Sequence, residues 1–267
     1  MHIGKKEPPM DFNYRLGNKS LEQIKNEKDI GMIIDNHLNF DKQVSEKVNK
    51  ANSMAAVIRR SFQNLNKDIF LPLYKALVRS HLDYASSVWY PYKEYQIEQI
   101  EGVQRRATKQ LPGMKELTYQ ERLKILKLPT LKYRRYRGDM IQVFKIICGY
   151  YDSNVTNFMK MRNDHTTRDR GRGHTKQLFQ QRPIHQNREF SFSVRVAKIW
   201  NSLPEHVVNA KSINAFKNRL DKHWKNQEVL YNFKSDLMTG ISRIQGHNST
   251  LEPDEEDPEG PVPGNHH

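Results

Sequence analysis

The 267 residues suffice for one large domain or two small ones with a real hydrophobic core. Forty-four Lys and Arg face thirty Asp and Glu, a formal net charge of +14 that favours a polyanionic partner, because each neutralised phosphate releases condensed counterions. No apolar run approaches the ~18 residues that span a bilayer, the N-terminus lacks a signal peptide's apolar stretch, and one cysteine, Cys148, excludes an internal disulfide framework and fits a reducing, intracellular compartment, nucleus or cytoplasm.

Residues 1–40 read as irregular and partly extended, with Pro8-Pro9 separating two short runs and a strand expected over 28–35 around Gly31. From Asp41, placed to cap, the period becomes helical through Val44, Val48, Ala51, Ala55 and Ile58. Asn66 starts a second helix, whose stripe Phe70, Tyr74, Leu77, His81, Ala85, Val88 runs until Pro91. A third spans about 95–111 and stops at Pro112-Gly113. Thr118 and Glu121 have capping-box spacing ahead of a short fourth. A fifth covers roughly 131–151 with Tyr136, Met140, Phe144 and Ile147 on its apolar side, and Cys148 reads as a core residue. Single amphipathic helices are marginal in water, so 41–151 is expected to be one bundle.

Residues 152–175 carry Arg162, Arg168, Arg170 and Arg172 without apolar period and read as a basic flexible loop. In 176–226 a small hairpin over 177–192 precedes a helix ended by Pro204 and another capped by Ser212. Residues 227–267, with six acids and two prolines over 252–259, read as a disordered acidic tail. The expected fold class is therefore mainly α: a helical bundle behind a short extended or β N-terminal segment, with a hairpin and helices near the C-terminus. Trp89, Tyr90, Trp200 and Trp224 sit at helix ends as core anchors.

Catalytic arrangements are missing. No two aspartates are adjacent, so the paired-aspartate metal site of nucleotide polymerases is absent. Gly171 and Gly173 lack the strand and lysine spacing of a phosphate loop, and no nucleophile-elbow sequence frames a serine. One cysteine makes no zinc ribbon, and His165, His174 and the His266-His267 pair read as solvated histidines, so no metal ligand is assigned.

What remains is charge with aromatics among it. From Gln104 to Gly138 there are eleven Lys or Arg and two acids. Arg105, Arg106, Lys109, Lys132, Arg134, Arg135 and Arg137 lie there with Tyr133 and Tyr136 between them; guanidinium grips phosphate bidentately and tyrosine stacks on bases. Charge runs are usually solvated faces whose opposite charges pair at i,i+4. Here the acids are nearly absent, which favours an external anion. Arg168, Arg170 and Arg172 form a second, weaker candidate.

Seven phrases are familiar together: KDIGMIID (28–35), KANSMAAVIRRSF (50–62), YKALVRSHLDYASSVW (74–89), EGVQRRATK (101–109), LKLPTLKYRRYRGDMIQVFK (126–145), FSFSVRVAKIWNSLP (190–204) and SINAFKNRLDKHW (212–224). In this order they resemble the region just after the polymerase palm in reverse transcriptases of jockey-like non-LTR retrotransposons. The resemblance implies a truncated frame holding the palm's last strands, the thumb and a C-terminal helical region. Full-length members are RNA-directed DNA polymerases that use Mg2+; none of their catalytic residues has a matching position here, so the chain is expected to hold no cofactor and no activity of its own. The thumb's grip on an RNA–DNA or other duplex is what carries over, alongside a separately encoded palm as a second partner. The alternative is a helical protein-interaction remnant with no nucleic-acid role.

Overall fold

The computed structural model of the chain describes residues 1, 3–4, 14–62, 64–162, 173–183 and 186–239. The fold is mainly helical, with two small antiparallel hairpins on its N-terminal side. β1 (Arg15–Leu16) pairs with β2 (Lys19–Ser20), and β3 (Asn26–Asp29) with β4 (Met32–Asp35). The strand expected over 28–35 thus folds back on itself. Ile30 and Gly31 connect it with φ of 44° and 74°, the doubly positive pattern of a type I′ turn that matches strand twist. Asp35 ends β4, and its carboxylate accepts the backbone N–H groups of His37, Asn39 and Phe40 at 3.1, 3.0 and 2.6 Å. That local cradle delivers the chain into α1 (Asp41–Ser61). Asp41 therefore does not cap α1; Phe40 holds the cap position with φ 59°.

The five apolar positions read at helical spacing in α1 are all buried. Asn66 caps α2 (Lys67–Leu73), accepting from Ile69 N–H at 2.9 Å. Pro72 removes one donor from the ladder, and the next turn, Tyr74–Val78, is a π turn in which Arg79 N–H reaches Tyr74 O. α3 (Arg79–Asp83) follows and ends there, short of Pro91. The reason is Trp89. Ala85 turns left-handed (φ 51°), and the indole N–H donates to Tyr84 O at 2.7 Å while the ring is wholly buried.

α4 (Glu94–Lys109) runs parallel to α1: Gln96 bonds Asn39 and Asp41 at one end, and Arg106 bonds Asn52 further along. α5 (Tyr119–Leu126) opens on the Thr118–Glu121 capping box and closes on Lys127 in the left-handed region, with Leu128 N–H returning to Leu123 O. α6 (Leu131–Ile147) starts at Thr130, whose hydroxyl accepts Tyr133 N–H and donates to Val229 O at 2.6 Å. Cys148 lies at the C-cap and is exposed, not core.

The remaining helices are α7 (Ser153–Thr156), α8 (Gln186–Glu189), α9 (Phe192–Asn201), α10 (Glu205–Val208) and α11 (Ile213–His223), followed by a short 3-10 turn, Glu228–Leu230. No hairpin forms among the described residues of 177–192. Leu178 bridges Met161 instead, its N–H and C=O are held by the Asn201 side chain at 2.8 Å each, and residues 186–189 are helical. The segment after Asn226 is also more ordered than expected, since Val229 and Leu237 are buried; residues 240–267 lie outside the described residues.

Two apolar cores result. One gathers Val44, Tyr74, Leu82, Trp89, Val103 and their neighbours up to Leu131; the other runs from Tyr133 to Leu237 around Trp200, Phe216 and Trp224. α6 belongs to both. Leu131 enters the first, and Met140 and Phe144 enter the second, where Phe144 stacks on Phe216 at 4.4 Å.

Candidate nucleic-acid interface

The basic residues on α6 are turned to internal use. Lys132 donates to Asp236 at 2.6 Å and to Ser235 O at 2.9 Å. Arg134 binds Asp83 at 2.7 Å. Arg137 grips Asp221 bidentately at 2.6 and 2.7 Å, and this bonding raises its pKa above the usual guanidinium value. Arg135 is only 5% exposed: its guanidinium lies over Trp89 at 5.3 Å and donates to Leu82 O at 3.1 Å, and burial lowers its pKa. Arg135 is thus a core residue. The scarcity of acids within 104–138 misleads, because the fold brings Asp83, Asp221 and Asp236 from distant segments to meet this helix.

The basic residues on α4 are placed differently. Arg105 pairs with Glu98. Arg106 is exposed and donates to the neutral Asn52 at 3.1 Å, and Lys109 is exposed in the last turn. The parallel packing of α1 and α4 sets their C-terminal turns at one end of the bundle, which adds exposed Arg59 and Arg60. Among the described residues, none of Arg59, Arg60, Arg106 and Lys109 has an acidic partner within 4 Å. Cations in the last turns also suit the helix dipoles. Lys67, Lys124 and Lys127 add exposed charge from α2 and α5, where Lys67 donates to Ile125 O and Lys124 acts on the capping Glu121. Sequence reasoning passed over Arg59-Arg60, though the pair mirrors Arg105-Arg106. Only the parallel packing shows that the two pairs share an end.

Arg168, Arg170 and Arg172 lie outside the described residues. Buried polar groups serve packing: Glu101 accepts from Tyr119 OH at 2.7 Å and Lys132 N–H at 2.8 Å, and burial raises its pKa. Among the described residues no three His, Cys, Asp or Glu side chains converge, and no helix is long and apolar enough to cross a membrane. Comparison with known proteins finds no matching family model, no matching curated protein and no matching solved structure.

Proposed function

We propose that the chain binds nucleic acid through its phosphates, without sequence preference, as the thumb-side part of a retrotransposon reverse transcriptase. The observation that carries the binding half is the shared end of α1 and α4. Arg59, Arg60, Arg106 and Lys109 stand exposed there without acidic partners among the described residues, which fits the spaced cations that contact a phosphate backbone. The seven phrases in order support the family half. The given residues hold no adjacent aspartates, so in this reading they hold the RNA–DNA or other duplex, and polymerase chemistry with its Mg2+ belongs to a palm outside them. Such a role places the chain inside the cell, in nucleus or cytoplasm.

The test is equilibrium binding to a labelled RNA–DNA hybrid across a salt series. The expected result is tight binding at low salt with a steep negative slope of log affinity against log salt. Weak or salt-insensitive binding overturns the reading. A second reading, a protein-interaction module, is favoured by the exposed apolar side chains of the N-terminal hairpins, Leu16 at 75% and Ile30 at 81% exposure. Self-association in sedimentation, without nucleic-acid binding, would select it.

A further inference from the structure

A groove of about 440 Å3 lies between the residue ahead of α1, the turn 87–92, α6, Phe158 and the start of α9. Six of its twelve lining residues are aromatic, Phe40, Tyr90, Tyr92, Phe158, Phe190 and Phe192, with Leu38, Val88 and Ile146 among them. Four of these rings are fixed in advance. Tyr92 and Phe190 stack at 4.2 Å and 10°, and the Arg195 guanidinium lies over Tyr90 at 4.4 Å and Phe192 at 5.3 Å. Two polar groups in the lining have hydrogen-bonding capacity to spare. Gln142 accepts from Tyr151 OH, while its amide N–H2 has no partner among the described residues, and neither has the Ser87 hydroxyl. Lys42, Lys145, Lys160 and Arg188 follow or precede lining residues by one or two positions and stand outside any described ion pair. Glu94 and Glu189 are the acids so placed, apart from Asp41, which Lys93, Tyr95 and Gln96 already engage.

We infer that this groove takes one nucleobase of a single-stranded polynucleotide, stacked on its rings with an edge on Gln142. The inference rests on the nucleic-acid reading above. Every base presents a π face, so an aromatic slot accepts bases without choosing among them. A side-chain amide donates to the carbonyl and ring-nitrogen acceptors on base edges. The cations next to the lining in sequence suit the flanking phosphates. An aliphatic chain would leave the Gln142 and Ser87 donors unanswered; an apolar peptide would meet them with its backbone carbonyls but would draw nothing from those cations. A base inside a duplex is stacked and cannot enter, which selects a single strand. The groove sits near the start of α1; at 1.5 Å per residue Arg59-Arg60 lie roughly 30 Å along the helix and Arg106, which bonds Asn52, roughly 18 Å, so the two sites are separable by substitution.

The test is fluorescence anisotropy of the full chain with a labelled deoxyadenosine oligonucleotide and with an abasic oligomer of equal length and charge. The expected result is a preference for the base-bearing strand of roughly ten-fold or more. Phe158→Ala and Gln142→Ala, at exposed and half-buried positions, should erase most of that preference while leaving the affinity and salt slope of the abasic strand unchanged. Equal affinity for the two strands, with salt dependence intact, overturns the base slot and leaves the phosphate reading standing. Binding of neither strand overturns both. If Phe158→Ala alters self-association and not strand preference, the groove is a protein contact and the inference fails. Should the variants not fold, photo-crosslinking of the unaltered chain to a 5-iodouracil strand decides: adducts on Tyr90, Tyr92, Phe158 or Phe190 are expected, and adducts only elsewhere overturn it.

Discussion

Asp139 on α6 and Arg195 on α9 are joined by two charge-assisted hydrogen bonds, of 3.0 and 3.1 Å, with both side chains almost wholly buried. Arg195 also donates to Ser87 O at 2.7 Å and Phe190 O at 2.9 Å, so one guanidinium ties α6 and α9 to the turn that follows α3. Burial raises the Asp139 pKa, and the Arg195 charge opposes that rise. Removing one partner strands a buried charge, at a cost of about 3–5 kcal/mol. Arg195→Met should therefore lower the denaturation midpoint sharply, and Arg195→Met with Asp139→Leu should recover much of the loss. A single variant as stable as the parent would show that water reaches the pair.

Arg135 and Arg106 make opposite predictions from similar sequence settings. Arg135→Ala removes a buried group from Trp89 and Leu82 O and should destabilise by about 2–4 kcal/mol. Arg106→Ala and Lys109→Ala, at exposed positions, should change stability by no more than about 0.5 kcal/mol. Chemical denaturation of the three variants separates the cases. A binding defect in an Arg134, Arg135 and Arg137 triple variant consequently says nothing about phosphate contact unless the variant is shown to be folded.

Binding should instead follow the shared end of α1 and α4. Each phosphate-contacting cation contributes about one unit of log–log salt slope. Arg59→Ala, Arg60→Ala, Arg106→Ala and Lys109→Ala, combined, should flatten the slope for an RNA–DNA hybrid by roughly 3–4 units and weaken affinity equally for unrelated sequences. An unchanged slope would mean the charge there only complements helix dipoles.

Where side chains speak to their own backbone, the sequence was legible. Asn66, Thr118 with Glu121, and Ser212 all cap where their spacing says they should, and the stripe of α1 is buried as read. What was lost depended on contacts between distant segments. Asp41 spends its carboxylate on α4 and not on its own helix, because Asp35 already holds the turn. Trp89 draws the chain inward and ends α3 early. The cationic run of α6 looked unpaired because its acids lie about 50 to 100 residues away. Thr130 shows the same limit: its hydroxyl caps α6 and also holds Val229 O, which nothing local announces. A charge excess is readable from composition, but which charges remain free is a property of the fold.

His174 supplies a pH dependence of definite sign. Its Nε2 lies 3.0 Å from Trp200 O and its Nδ1 accepts the Lys176 N–H at 3.2 Å, so the fold holds the neutral ring with its proton on Nε2. Protonating Nδ1 would set two donors against each other. Burial lowers the His174 pKa below 6.5; the Trp200 carbonyl and Glu205 oppose this, and Lys176 adds to it. His223 is lowered too, by burial and by His206. The unfolded chain therefore takes up protons first. The stability held by these rings is full above about pH 6.5 and is lost as pH falls through the folded pKa values. Glu101 and Asp139, whose pKa values burial raises, titrate with the opposite sign, so the comparison must be between chains. His174→Gln keeps a side-chain acceptor and a donor but binds no proton. Its loss of stability between about pH 7.5 and 5.5 should be smaller than the parent's, measured by urea midpoints across that range. Parallel curves for the two chains would mean that His174 is protonated in the folded state as readily as in the unfolded one.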